Sequence, residues 1–341
     1  MKKILIIGAG AMGSAFTMPC VENNNRVTLV GTHLEDKLIE KLQKNRIHPA
    51  LNSYIPKKVK LMKFENFKEE YNSNPDYIVL AVSSKGIEWV SNQLIRDYSK
   101  KLSIILLTKG LTIINKKIST IPKQINLLFK KQNLPKQNIT SIKGPCLASG
   151  LINKVRTSTV IANEKISNAI KISKIISTDY YRTEISDDII GVEVAGAIKN
   201  IYSMIIGASK GLSGSNIDMD VRKNYYHNTA STLFKNALSE MRKFVKIMGG
   251  RSETAYGLAG LGDLYVSVAG GRNSLMGTYL GQGKLYKEVQ EKIMKNVTVE
   301  GADLALDIGS RIFKDFKEKD FPIMFALIRS IIKNKKLKIS W

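Results

Sequence analysis

KKILIIGAGAMG, Lys2 to Gly13, is the stretch that decides the fold. Ile4 to Ile7 are apolar without interruption, as in a strand covered on both faces. Gly8, Gly10 and Gly13 follow at once in the spacing G-x-G-x-x-G. A helix is predicted from about Ala11 to Asn23 and a second strand from Arg26 to Val30. A strand, a glycine loop, a helix and a strand in that order form the context in which this spacing binds a dinucleotide. Gly8 permits the tight turn, Gly10 lets backbone approach a pyrophosphate, and Gly13 allows close helix–strand packing. The free N–H groups and positive dipole end of the helix then face the phosphates. Pro19 predicts a kink or an early end to that helix.

Such loops usually place Asp or Glu after the second strand, where it binds the ribose 2′-hydroxyl. Gly31-Thr32-His33 stands there instead, and Glu35 and Asp36 come slightly late. Lys37 and Arg46 are the basic groups within reach of a 2′-phosphate. The cofactor is expected to be NADP or NAD, with NADP used at least as well as NAD because no acidic residue at Gly31–His33 repels a 2′-phosphate.

The alternation continues along the chain. Val59–Phe64, Asp76–Val82, Ser103–Leu107, Asn138–Ile142, Thr157–Ala162 and Arg182–Ile185 read as strands, with helices near Leu34–Lys44 and Ile87–Tyr98. Parallel strands end where ligands bind, so Lys109, just past Leu107, is placed for an anion; a solvated loop lysine is the alternative. The fold expected is α/β: a Rossmann-type dinucleotide-binding domain over residues 1–188, then an all-α domain over residues 189–341, with the boundary near Asp187-Asp188.

Ile189 to Leu212 reads as a long helix. At about 100° per residue, Lys199 shares an apolar or small stripe with Val192, Ala195, Gly196, Tyr202, Ser203 and Ile206. A lysine on such a face is desolvated, which lowers its pKa and suits it to proton transfer; the alternative is a packed stem with a snorkelling ammonium. Tyr225–Met248 is amphipathic and ends at Gly249-Gly250. The glycines from Gly257 to Gly271 imply backbone packed closely against a helix or a ligand. Arg272 has the planar fork that matches two phosphate oxygens. The basic tail from Lys333 to Trp341 reads as solvated.

Composition narrows the function. With 53 Lys+Arg against 29 Asp+Glu, the formal net charge is +24, which favours anionic partners. The lysines are scattered through every predicted element, so a solvated basic surface is expected rather than a nucleic-acid face. Cys20 and Cys146 lie far apart, and the three histidines, His33, His48 and His227, show no metal-ligand spacing; neither a disulfide nor a metal is expected. Glycines break the apolar run of Met1–Cys20, so it does not read as a signal peptide. No stretch reaches about 18 uninterrupted apolar residues, so no membrane span is expected and a cytoplasmic location is.

Taken together these residues resemble the NAD(P)-dependent glycerol-3-phosphate dehydrogenases over nearly the whole chain. GAGAMG is similar to that family's opening fingerprint, and Thr108-Lys109-Gly110 to its substrate-lysine motif. KGPCLA at Lys143–Ala148 resembles its SGPSFA. GVEVAGAIKN at Gly191–Asn200 resembles the helix whose lysine is catalytic. GLAGLGDL at Gly257–Leu264, GGRN at Gly270–Asn273 and VEG at Val299–Gly301 complete the set in order. The resemblance implies hydride transfer between NAD(P)H and dihydroxyacetone phosphate, chemistry of glycerophospholipid metabolism, with Lys199 as proton donor and acceptor. It implies Lys109, Gly144, Cys146, Asn200, Asp263, Ser267, Arg272 and Asn273 around the substrate. It implies Gly8, Gly10, Ala11, Met12, Gly13, Thr32, Lys109, Ala148, Arg272 and Glu300 around the dinucleotide. The partner is then a phosphorylated small molecule, and a homodimer is compatible with the reading. Gly271 and Cys146 stand where the family has serines, and Thr32 where its bacterial members commonly have arginine.

Ketopantoate reductases and β-hydroxyacid dehydrogenases share GAGAMG and a lysine on the second domain's first helix, but lack Gly-Leu-Gly-Asp and Arg-Asn. A basic nucleotide-sensing or nucleic-acid-binding module on an inactive scaffold is the alternative from another class; an intact Lys199 with Asp263 speaks against it.

Overall fold

Ile4 and Ile6 enter one apolar core and Leu5 and Ile7 another, because successive side chains of a strand point to opposite faces. The structure, a computed structural model, describes residues 1–213 and 226–339. The strands in chain order are β1 (Lys3–Ile7), β2 (Arg26–Val30), β3 (Ile47–His48), β4 (Ser53–Tyr54), β5 (Lys60–Met62), β6 (Tyr77–Leu80), β7 (Ser103–Leu106), β8 (Leu111–Ile114), β9 (Lys117–Thr120), β10 (Asn138–Lys143), β11 (Thr157–Ala162) and β12 (Tyr181–Ser186). Eight of them form one sheet in the order β12-β11-β10-β7-β6-β1-β2-β5. Every neighbouring pair is parallel except β10 with β11, which is antiparallel. From β5 to β10 the sheet winds outward from β1 in both directions, the doubly wound order of a dinucleotide-binding fold. The strand order therefore reverses between β1 and β6, where such folds open a ligand crevice.

The first eight helices are α1 (Ala11–Glu22), α2 (Asp36–Asn45), α3 (Phe67–Asn72), α4 (Ile87–Arg96), α5 (Ile121–Lys131), α6 (Ala148–Ile152), α7 (Ile166–Ile176) and α8 (Ile189–Leu212). Of the kink or early end expected at Pro19, the early end does not occur: α1 runs on to Glu22. The proline is buried, and at the end of the helix the Asn23 side-chain amide donates 2.9 Å to the Pro19 carbonyl.

Chain contacts divide the protein into two units: Met1–Lys109 with Ile121–Ile189, and Gly110–Thr120 with the chain from Ile190 onward. The β8–β9 hairpin thus packs in the second unit, against the helix Glu300–Asp315, so that unit is not purely helical. Asn115 and Lys116 carry φ of 49° and 62° at its tip, the handedness of a two-residue turn that follows strand twist.

In the second unit α8 is central. Burial extends around its whole circumference from Gly191 to Ser209, beyond the single stripe expected. It is long and apolar enough to cross a membrane, with a mean hydropathy of 1.5, yet 94% of that window is buried within the protein. The helix Arg272–Gly281 lies against it almost backbone to backbone. A Cβ on Gly277 would stand 1.9 Å from Met204 O, and one on Gly281 2.2 Å from Ala208 O. Gly207 and Gly211 make the reciprocal approaches from α8. The start expected at Tyr225 lies outside the described residues; the helix there runs Tyr226–Ile247. In the C-terminal tail Leu337 is buried, so that stretch is not wholly solvated, and Ser340 and Trp341 lie outside the described residues.

Candidate functional site

In the first unit the glycine loop is fixed by contacts that only glycine allows. Gly8 has φ +108°, and a Cβ there would stand 2.8 Å from Ala81 O; one on Gly13 would stand 2.0 Å from Gly8 O. A Cβ on Gly10 would meet only Glu35 Oε1, at 3.7 Å, so the loop is open on that side. Gly10 also precedes α1 with no side chain to cap it, leaving the first-turn N–H groups of Ala11 and Met12 aimed at the opening. An uncapped helix N-terminus behind a bare glycine fits a diphosphate, so these residues fit the dinucleotide.

Ala9 anchors the loop from both sides. Its carbonyl accepts from Ser14 Oγ at 2.8 Å and from buried His48 Nε2 at 3.1 Å, and its N–H donates to Glu35 Oε2 at 3.0 Å. The same Glu35 oxygen accepts the Thr32 N–H at 2.7 Å. Glu35, which lies five residues beyond the end of β2, thus reaches back to both the loop and Thr32. Arg46, expected within reach of a 2′-phosphate, donates instead to Pro56 O and Val59 O at 2.8 and 3.1 Å.

A cavity at the carboxyl ends of β7 and β10 is lined by Met12, Phe16, Leu107, Lys109, Lys143, Gly144, Cys146, Thr159 and Tyr181. Lys109, Gly144 and Cys146 thus meet in one cavity. Ala148 begins α6 just beyond, and Thr32 follows β2. Lys143 is only 1% exposed and donates to Leu106 O at 3.2 Å. Sequence reasoning did not single it out, although a lysine opening KGPC at the end of a buried strand was the signal.

In the second unit Lys199 is 5% exposed. Its ammonium donates to Asp263 Oδ1 at 2.8 Å and to Ser267 Oγ at 2.5 Å. A π-turn at Leu258–Gly262 runs directly into the helix Asp263–Ala269, so Asp263 and Ser267, one turn apart, both face Lys199. Beside them Asn200 Nδ2 donates to Glu300 Oε2 at 3.0 Å, and Asn273 Nδ2 donates to Asn200 Oδ1 at 3.0 Å. Asn273 Oδ1 in turn accepts the Gly301 N–H at 2.9 Å. Arg272 lies 3.5 Å from Glu300 Oε1, both side chains about half exposed. Gly271, at φ +118°, sits at the N-terminus of the helix Arg272–Gly281 with nothing within 4 Å of a would-be Cβ. The chain there combines open space, a helix N-terminus and a guanidinium, which suits a phosphate.

One turn past Lys199, Tyr202 donates to Glu240 Oε2 at 3.3 Å. Glu240 also accepts the Ile323 and Met324 N–H groups at 2.8 and 3.1 Å, capping the helix Pro322–Ile332. Burial pushes its carboxyl up to about 7, against the pull of those donors.

The residues picked out from sequence therefore fall into two groups. Gly8, Gly10, Ala11, Met12, Gly13, Thr32, Lys109, Gly144, Cys146 and Ala148 lie in the first unit; Lys199, Asn200, Asp263, Ser267, Arg272, Asn273 and Glu300 lie in the second.

Comparison with known proteins matches residues 3–169 to the N-terminal family "NAD-dependent glycerol-3-phosphate dehydrogenase N-terminus" and residues 188–340 to the corresponding C-terminus. An Archaeoglobus fulgidus protein described as NADP(+)-dependent glycerol-3-phosphate dehydrogenase is 33% identical over 327 residues, covering 93% of this chain and 92% of that protein. A Clostridium botulinum glycerol-3-phosphate dehydrogenase [NAD(P)+] is 28% identical, covering 98% and 94%. The fold is shared with the solved glycerol-3-phosphate dehydrogenase of Coxiella burnetii, with a TM-score of 0.81 at 24% identity and coverage of 98% and 96%.

Proposed function

This chain belongs to the NAD-dependent glycerol-3-phosphate dehydrogenase family, and from that premise we infer how its own residues divide the work. It is an oxidoreductase that moves a hydride between NAD(P)H and dihydroxyacetone phosphate to give sn-glycerol 3-phosphate, reversibly. When bound, the dinucleotide supplies that hydride to C2 or takes it back. Everything else falls to the side chains and backbone.

Residues 1–188, apart from the Gly110–Thr120 hairpin, serve as the dinucleotide domain and residues 189–341 as the substrate and catalytic domain. The Gly8–Gly13 loop and the N–H groups of Ala11 and Met12 hold the diphosphate. Thr32, Lys109, Ala148, Arg272 and Glu300 are the further dinucleotide contacts. Lys199 is the proton donor and acceptor: its ammonium polarises the C2 carbonyl and passes a proton to the oxygen as hydride reaches the carbon. General-acid help of this kind contributes about 10²–10⁴ in rate. Asp263 and Ser267 hold the ammonium in place. Arg272, Asn273 and the helix N-terminus at Gly271 take the substrate phosphate, and Arg272 then trades Glu300 for a dianion. Lys109, Gly144, Cys146 and Asn200 complete the substrate surroundings. Binding energy from the phosphate, remote from the reacting carbon, positions the ketone.

The observation that carries this reading is the buried Lys199 ammonium, hydrogen-bonded at once to Asp263 and Ser267. The free thiols of Cys20 and Cys146 accord with a reducing, cytoplasmic location. The scattered basic surface is taken as solvated, with no nucleic acid as partner. The test is consumption of NADH or NADPH on adding dihydroxyacetone phosphate. Turnover with dihydroxyacetone phosphate and none with ketopantoate supports the reading; the reverse sinks it.

A further inference from the structure

The Glu35 carboxylate lies beside the glycine loop, just past the end of β2. It accepts two backbone N–H groups with one oxygen, Ala9 of the glycine loop at 3.0 Å and Thr32 beyond β2 at 2.7 Å. Those bonds tie the end of β2 to the loop and leave Oε1 beside Gly10. The tie depends on α2 folding back closely: a Cβ on Gly31 would stand 2.7 Å from Ile39 Cγ1 and 3.4 Å from Glu35 Cβ. In dinucleotide folds an acidic residue about 20 residues past the glycine fingerprint accepts the ribose 2′-hydroxyl. Glu35, 22 residues past Gly13, meets that condition along the chain and in space, although it lies five residues beyond Val30.

The neighbouring cations do not reverse its effect. Arg46 is committed to Pro56 O and Val59 O, at the far end of α2. Lys63 pairs with Glu40 at 2.6 Å. His33 rests against Trp89, with ring centroids 4.7 Å apart. Lys37 is exposed, and a solvated charge is screened over about 8 Å at physiological salt. A carboxylate pinned by two N–H groups stays in place, and a 2′-phosphate would bring a second anion against it.

We propose that Glu35 is a specificity-determining residue that holds the adenosine ribose 2′-hydroxyl and makes this enzyme prefer NAD(H) over NADP(H). The proposal rests on the dinucleotide reading above and reverses the preference expected from Gly31–His33. The test is equilibrium binding without substrate, by titration calorimetry of NADH and NADPH into the wild-type protein and Glu35→Gln. Wild type is expected to bind NADH at least about tenfold tighter, a difference of about 1.4 kcal/mol. Glu35→Gln keeps an acceptor for the two N–H groups but loses the charge, so the ratio should fall to within about threefold as NADPH tightens and NADH weakens. On the wild-type protein alone, AMP should displace NADH better than adenosine 2′,5′-bisphosphate does, a result that needs no variant to fold. Wild type binding both dinucleotides equally, or NADPH more tightly, overturns the proposal; so does a Glu35→Gln protein that loses both in the same proportion. Binding of neither dinucleotide would instead overturn the reading on which it rests.

Discussion

Lys199→Met separates a catalytic lysine from a merely structural one, and the structure sets the size of each effect. Methionine matches the lysine stem, so the packing of Val192, Ala195 and Tyr202 on α8 should survive. The electrostatic balance does not survive. The ammonium and Asp263 face each other at 2.8 Å, with side chains 6% and 5% exposed. At an effective dielectric near 20 that separation corresponds to about 6 kcal/mol of attraction, much of it offset by desolvation. Removing one member of such a buried pair costs about 3–5 kcal/mol, because a buried carboxylate is left facing a thioether. The single variant should therefore melt on the order of 10 °C lower and lose at least about 10³ in kcat. Pairing it with Asp263→Asn removes the isolated charge, so the double variant should recover most of the stability and none of the turnover. Single-turnover hydride transfer and thermal denaturation on the same three proteins read the two effects apart. If the double variant regains activity along with stability, or Lys199→Met keeps near-normal kcat, Lys199 is not the proton donor.

Three further outcomes are expected. Arg272→Ala should raise KM for dihydroxyacetone phosphate about 30-fold, roughly 2 kcal/mol, at the low end for a charged pair because the side chain is half exposed and already meets Glu300; unchanged discrimination against unphosphorylated dihydroxyacetone would clear Arg272 of that role. Glu240 binds its proton more tightly folded, at about 7 against 4.5 unfolded. Stability from this group is thus complete below about pH 4.5 and is lost as pH rises through 7, about 3 kcal/mol in all. Urea midpoints at pH 5 and pH 8 should show that fall in wild type and a smaller one in Glu240→Gln; equal slopes would refute it. Gly277→Ala would put a methyl 1.9 Å from Met204 O, forcing two helices apart at a cost of about 3 kcal/mol or more; an unchanged melting temperature would contradict the close packing.

The sheet was legible because its cause is local. Uninterrupted apolar runs such as Ile4–Ile7 and Ile104–Leu107 belong to strands covered on both faces, and the glycine spacing fixed what followed the first of them. The β8–β9 hairpin was not read, since Leu111–Thr120 carries neither strong alternation nor a glycine turn, and Asn115-Lys116 is a weak form of that signal. Pro19 misled for a related reason. Proline's missing donor is a local cost, but burial of its ring is supplied by residues the helix pattern does not weigh.

At the candidate site the limits follow the same division. Lys199 was visible as a cation among apolar residues, and Asp263 and Ser267 through a motif, since their meeting with Lys199 spans more than 60 positions. The glycines after Gly257 were legible as close packing in general, but their parts differ. Gly260 packs on Ala255 O, and Gly277 and Gly281, further on, pack on α8, while Gly270 and Gly271 face open space. Only the last kind can admit a ligand. Glu35 shows most plainly what counting residues misses. The rule that an acidic group follows the second strand concerns where a carboxylate sits, and sequence distance stands in for it only when the connection is tight. Here the chain takes an additional turn, Glu35 N–H bonding to Thr32 O at 2.9 Å, and that turn carries a residue five positions late back to the loop. A carboxylate that stands late along the chain thus lies beside the loop in space, and the proposed preference for NAD(H) rests on that difference.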